Sequence, residues 1–98
     1  MSVKLAFLAT LEAKQGKEGE LGQFLKAGRE LAVAEDETLT WYAFRIDETH
    51  FGIFDTFAAE EGRQAHLKGR MAEALHKAAG ELLAAEPAIT PVDVIAVK

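Results

Sequence analysis

Three side chains in this sequence have the types to move a proton. Asp55 stands in "HFGIFDTF", His66 in "RQAHLKGR" and Tyr42 in "LTWYAFRI". A carboxylate set in an apolar wall binds its proton more tightly than in water. A phenol can donate to a developing oxyanion, and an imidazole near neutral pH serves as base or metal ligand. Together they are the parts of a general acid–base site. Each also has a plainer reading. Tyr42 and Asp55 can satisfy one another as a buried hydrogen bond, and a helical His can be exposed or structural.

Aromatic residues crowd around two of these groups. The stretch from Thr40 to Phe57 contains the single Trp, the single Tyr and four of the six Phe residues. Phe44 and Phe57 would wall a pocket, and Trp41 could stack on a flat ligand or pack in the core or a dimer contact. Arg63 and Arg70 flank His66 and could meet an anionic substrate group, or be solvated helix charges. Which side chains share a face depends on the turn "DET", Asp47 to Thr49. A loop of two or four residues sets Tyr42 opposite Asp55 and Phe44 opposite Ile53. A loop of three or five moves Asp55 to the other face from Tyr42. The first register places Tyr42, Phe44, Asp55 and Phe57 under the helices, with Trp41 and Phe54 turned towards a partner subunit.

Other chemistries lose support. The chain has no Cys, so disulfides, thiol catalysis and thiolate metal sites are excluded. Its one Ser is Ser2, and no nucleophile elbow, P-loop or dinucleotide fingerprint occurs. His50 borders the turn and His76 lies further along, so no His/Asp/Glu spacing resembles a metal site. The expectation is no metal and no cofactor. A formal net charge of −5 without clustered Lys or Arg argues against nucleic acid. The apolar start is too short for a signal peptide or a membrane span, and a cytoplasmic protein is expected.

The elements that must position these residues follow from periodicity. Val3 to Glu12 alternates as a strand, and Lys17 to Ala34 repeats apolar residues at helical spacing before the polar "EDET". Thr38 to Asp47 and His50 to Phe57 form a hairpin. Ala58 to Ala85 is helical in two pieces jointed at Gly69, and a last strand, "VDVIAV", follows Pro91. The order β-α-β-β-α-β is that of an α+β, ferredoxin-like antiparallel sheet with helices on one face, here a single domain over residues 1–98. Both faces of the strands are apolar, whereas a solvated face should be polar. Sheet-to-sheet pairing in a homodimer is therefore expected.

The chain as a whole resembles the antibiotic biosynthesis monooxygenase domain family, of the dimeric α/β-barrel fold. The likeness rests on this element order and on "LTWYAFRIDETHFGIFDTFAAEEGRQAHL", with Asp55-Thr56-Phe57 ending the third strand and Ala65-His66-Leu67 on the helix. It implies a pocket between sheet and helices lined by Asp55, Phe57 and His66. It also implies oxidation of a small aromatic or quinol by O2 without metal or flavin. The family often has Glu and Trp where Asp55 and Phe57 stand. Haem-degrading relatives depend on that Trp, so Phe57 argues against haem degradation here. A non-catalytic, ligand-binding or stress-related dimer and a proton-transfer isomerase remain alternatives on the same fold.

Overall fold

A computed structural model describes residues 3–98. Strands β1 (Leu5–Glu12), β2 (Thr40–Arg45), β3 (His50–Phe57) and β4 (Ala88–Asp93) form one antiparallel sheet in the order β2-β3-β1-β4. Helices α1 (Glu18–Val33), α2 (Glu60–Leu67) and α3 (Arg70–Leu82) cover one face. This is the expected ferredoxin-like arrangement. The long helical region divides at Gly69, which precedes α3. The last strand begins and ends earlier than the sequence implies: it stops at Asp93, leaving Val94 to Val97 outside it, and takes Pro91 into its interior, opposite Phe7. Because β4 is an edge strand, a residue without an N–H can sit there on the unpaired side.

Alternation along β1 and β3 sends Phe7, Ala9 and Leu11 and their partners Asp55, Ile53 and Phe51 towards the helices. Leu21 and Leu25 of α1 and Met71, Leu75 and Leu82 of α3 close the core over them. The two helices approach closely at Gly28. A Cβ there would lie 2.8 Å from the Met71 sulfur, so a side chain at this position would force the Met71 thioether to move.

The turn between β2 and β3 sets the register. Its observed pairs are Trp41 with Asp55, Tyr42 with Phe54, Ala43 with Ile53 and Phe44 with Gly52. The Ile46 N–H donates to the His50 carbonyl at 2.8 Å, which leaves Asp47, Glu48 and Thr49 as a three-residue loop. Asp47 Oδ1 accepts the N–H groups of Thr49 (3.0 Å) and His50 (2.8 Å), the side-chain mimic of a turn. Arg45 donates to the Asp47 and Glu48 carbonyls from below. The His50 imidazole and then the Thr49 N–H hold the Asp47 carboxyl down at about 2, although it is fully exposed.

This register corrects the expected pairing of Tyr42 with Asp55. Trp41 lies beside Asp55 on the helix side, and Tyr42, Phe44 and Phe54 lie on the open face. A slip of one residue exchanges the faces of a whole strand.

Candidate functional site

Asp55 sits in the middle of β3, between Phe7 of β1 and Trp41 of β2, and is 2% exposed. Its Oδ2 lies 2.8 Å from Nε2 of His66. His66 occupies the last turn of α2, where the helix dipole favours a cation, and its ring rests on Phe57 with centroids 5.4 Å apart. Phe57 is fully buried and meets Phe7 edge-on, so the ring that backs His66 is itself held on both sides.

The other imidazole nitrogen also has an acid. His66 Nδ1 lies 2.6 Å from Glu35 Oε1, in the segment between α1 and β2. The Thr38 hydroxyl donates to the same oxygen at 3.2 Å, and the Met71 N–H reaches Glu35 Oε2 at 3.5 Å. Burial is the largest influence on His66 and works against its charged form. Hydrogen bonds and charge from Asp55, then from Glu35, outweigh it and raise its pKa above the ordinary 6.5. The geometry suits an imidazolium between two carboxylates, each accepting one N–H.

Two buried polar atoms at this place have no hydrogen-bond partner among the described residues. They are Asp55 Oδ1 and Trp41 Nε1, an acceptor and a donor on directly opposed residues. Such unpaired buried groups are costly, and a water or a ligand group could satisfy them. Both residues line a cavity of about 420 Å3 between sheet and helices. Its sheet wall is Phe7, Ala9 and Ile53, and α3 supplies Met71 and Leu75. The chemistry available is proton acceptance by a carboxylate in a mostly apolar space, beside an N–H donor that can hold a negative oxygen.

The remaining expected site residues are placed as follows. Tyr42 and Phe44 line a different, open groove of about 790 Å3 between β2 and α1, and the sheet separates them from Asp55. Arg63 lies outside the cavity lining. Its guanidinium pairs with Glu60 at 2.6 Å, stands 5.4 Å over the Phe7 ring and reaches the Ala6 and Val92 carbonyls at 3.4 Å. Phe57 supports the site from behind rather than facing the cavity. His76 lines the cavity from α3, though its sequence context sets it apart from Asp55 and His66. Glu35 is the residue that sequence reading missed, because "EDET" looks like a solvated helix end. Among the described residues no group of three or more His, Asp and Glu side chains converges as metal ligands, and no helix is long and apolar enough to cross a membrane.

Solved structures of the same architecture define the class. A protein from Nitrosomonas europaea named a putative antibiotic biosynthesis monooxygenase superposes with a TM-score of 0.83 at 11% identity, over 94% of this chain and 99% of that one. One of the same name from Caulobacter crescentus gives a TM-score of 0.81 at 18% identity, over 96% of this chain and 92% of that one. The chain thus has the fold of the antibiotic biosynthesis monooxygenase proteins. A second Nitrosomonas europaea protein, of unknown function, is far more similar, with 46% identity, a TM-score of 0.96 and coverage of 98% of this chain and 93% of that one. The chain belongs to the family of that protein. No protein-family model and no curated protein matches it.

Proposed function

We propose that this chain is a cofactor-independent monooxygenase that oxidises a small aromatic or quinol-type substrate with O2. The observation that carries the reading is Asp55, which lines a mostly apolar cavity and whose buried Oδ1 has no partner among the described residues. The names of the structurally similar proteins point the same way. In this reading a substrate O–H or activated C–H gives its proton to Asp55 Oδ1. Trp41 Nε1–H donates to the oxygen on which the negative charge collects. The substrate anion then supplies electrons to O2. One oxygen atom stays in the product, and the other leaves as water, whose two hydrogens, exchanged with solvent protons, balance the two that the substrate loses. The protein's part is to deprotonate, orient and keep bulk water away. His66 holds Asp55 in place, and Phe57 holds His66.

Oxygen uptake by metal-free protein over a panel of quinols and phenols tests this. Uptake above the blank that falls in Asp55→Asn is expected, and no uptake with any substrate would overturn it. The same carboxylate also favours a second reading, a proton-transfer isomerase, which would convert substrate under anaerobic conditions. Thermal stabilisation by ligand without turnover would mark a binding protein instead.

The working unit in this proposal is a homodimer. Tyr42 and Ile46 are each 57% exposed on the open sheet face, beside Phe44, Phe54 and Leu8. An uncovered antiparallel face should be polar, and this one carries a cluster of apolar side chains among its threonines. A second copy offers the same apolar face, so two sheets can cover one another symmetrically. Sedimentation at micromolar concentration should show a dimer.

A further inference from the structure

We propose that Glu35 is the outer member of a proton path, Asp55–His66–Glu35, which releases a proton to solvent on the far side of the cavity when Asp55 takes one from the substrate. The proposal rests on the proton-abstraction reading above and adds a residue and a route to it.

The geometry has two sides. Asp55 is closed off, with a side chain 3% exposed, whereas the Glu35 side chain is 18% exposed. Glu35 lines a separate cleft of about 470 Å3 with Asp36, Glu37, Thr38 and Gly62. Among the described residues His66 is the one side chain that lines both this acidic cleft and the substrate cavity. Its two nitrogens bridge the two carboxylates, at 2.8 Å inward and 2.6 Å outward. A substrate that fills the cavity blocks the direct way out, so the charge gained when Asp55 is protonated is released by this second exit.

Glu35 is held for that position. Thr38 and the Met71 N–H fix its carboxylate, and Gly69 leaves the room it occupies. A Cβ on Gly69 would collide with Glu35 Oε2. The backbone there, φ −84° and ψ 179°, suits any residue, so the requirement at Gly69 is space.

The groups that face His66 are Asp55 and the Phe57 ring from β3 and Glu35 and Thr38 from the α1–β2 segment. Asp36 and Glu37 share its cleft, and Lys68, Glu73 and His76 share its cavity. Arg63 on its own helix is occupied by Glu60. Before the reaction His66 donates both N–H groups. When Asp55 Oδ1 accepts the substrate proton, the negative charge facing Nε2 is neutralised. The imidazolium then releases its Nδ1 proton to Glu35 Oε1, and Glu35 passes it to water in the cleft. One proton enters at Asp55 Oδ1 and one leaves through Glu35, so the substrate's own proton stays on Asp55; when product leaves, Asp55 gives it up through the open cavity and His66 regains one from the cleft, and no heavy-atom bond changes. Glu35 acts through His66 and is a positioning and relay residue, not one that touches substrate.

The test uses ligand-free protein, so it is independent of whether a substrate has been found. Imidazole NMR follows the titration of His66 and the exchange of its Nδ1 proton with water in wild type, Glu35→Gln and Gly69→Ala. The second variant keeps the Glu35 charge and only displaces it. Both should lower the His66 midpoint, Glu35→Gln by about one pH unit or more, the usual effect of losing an adjacent opposite charge, and Gly69→Ala by less. Both should also slow Nδ1 exchange, and with a turned-over substrate Glu35→Gln should reduce kcat while KM holds. An unchanged midpoint and exchange rate in either folded variant overturns the path. Absent oxygen uptake with this coupling intact would instead sink the monooxygenase reading and leave the path unused.

Discussion

Replacing Asp55 by Asn removes one of the two charges that hold His66 as an imidazolium while keeping the side chain's shape. An opposite charge at this range moves a pKa by about 1–3 units. At 1.36 kcal/mol per unit, that is about 1.4–4 kcal/mol of stabilisation of the charged form. The pair is buried on both sides, at 3% and 9% exposure, so solvent screening takes little from this figure. Because His66 is raised above 6.5, its contribution is complete below about that pH and is lost as pH rises through its folded value. Urea denaturation of wild type and Asp55→Asn should therefore show a loss of about 1.4–4 kcal/mol near pH 5.5 that shrinks or reverses near pH 9. Reversal follows because a neutral His66 leaves Asp55 as a buried, uncompensated charge that Asn does not carry. The same loss at both pH values would refute the claim that a charged His66 between two acids organises the site.

Three further outcomes follow from the same geometry. Phe57→Ala empties the space between Phe7 and His66 and should cost about 3–5 kcal/mol in a denaturation curve. Phe44→Glu places a charge on the open sheet face and should give a folded monomer by sedimentation. An unchanged dimer would count against sheet-to-sheet pairing. Asp47→Ala should lower Tm at neutral pH. Wild type should lose the Asp47 contribution as pH falls from 3.8 towards about 2, and the variant should lack that acid-dependent step.

Much of the fold was legible because periodicity decides it. Alternation in "LAFLATLE" and "HFGIFDTF", the helical spacing of Leu21, Leu25 and Ala32, and the break at Gly69 all lie along the chain. Asp55 and His66 were legible as residue types, and the structure joins them at 2.8 Å. The hairpin register was not, because it hangs on one side chain. Asp47 bonds the N–H groups of Thr49 and His50, which selects a loop of three where no Asn-Gly or Asp-Gly pair marks a length. That single step moves Tyr42 and Phe44 away from Asp55 and brings Trp41 to it. Glu35 was hidden for a different reason. It is one of three acids in four residues, and only the packing of the α1–β2 segment against α2 separates it from Asp36 and Glu37.

The most direct test of the central claim is a crystal structure of the protein soaked with a small quinol. The account predicts the ring in the cavity between Trp41 and Met71, with a hydroxyl within hydrogen-bond distance of Asp55 Oδ1. A quinol bound instead in the open groove beside Tyr42 and Phe44, with Asp55 untouched, would contradict it.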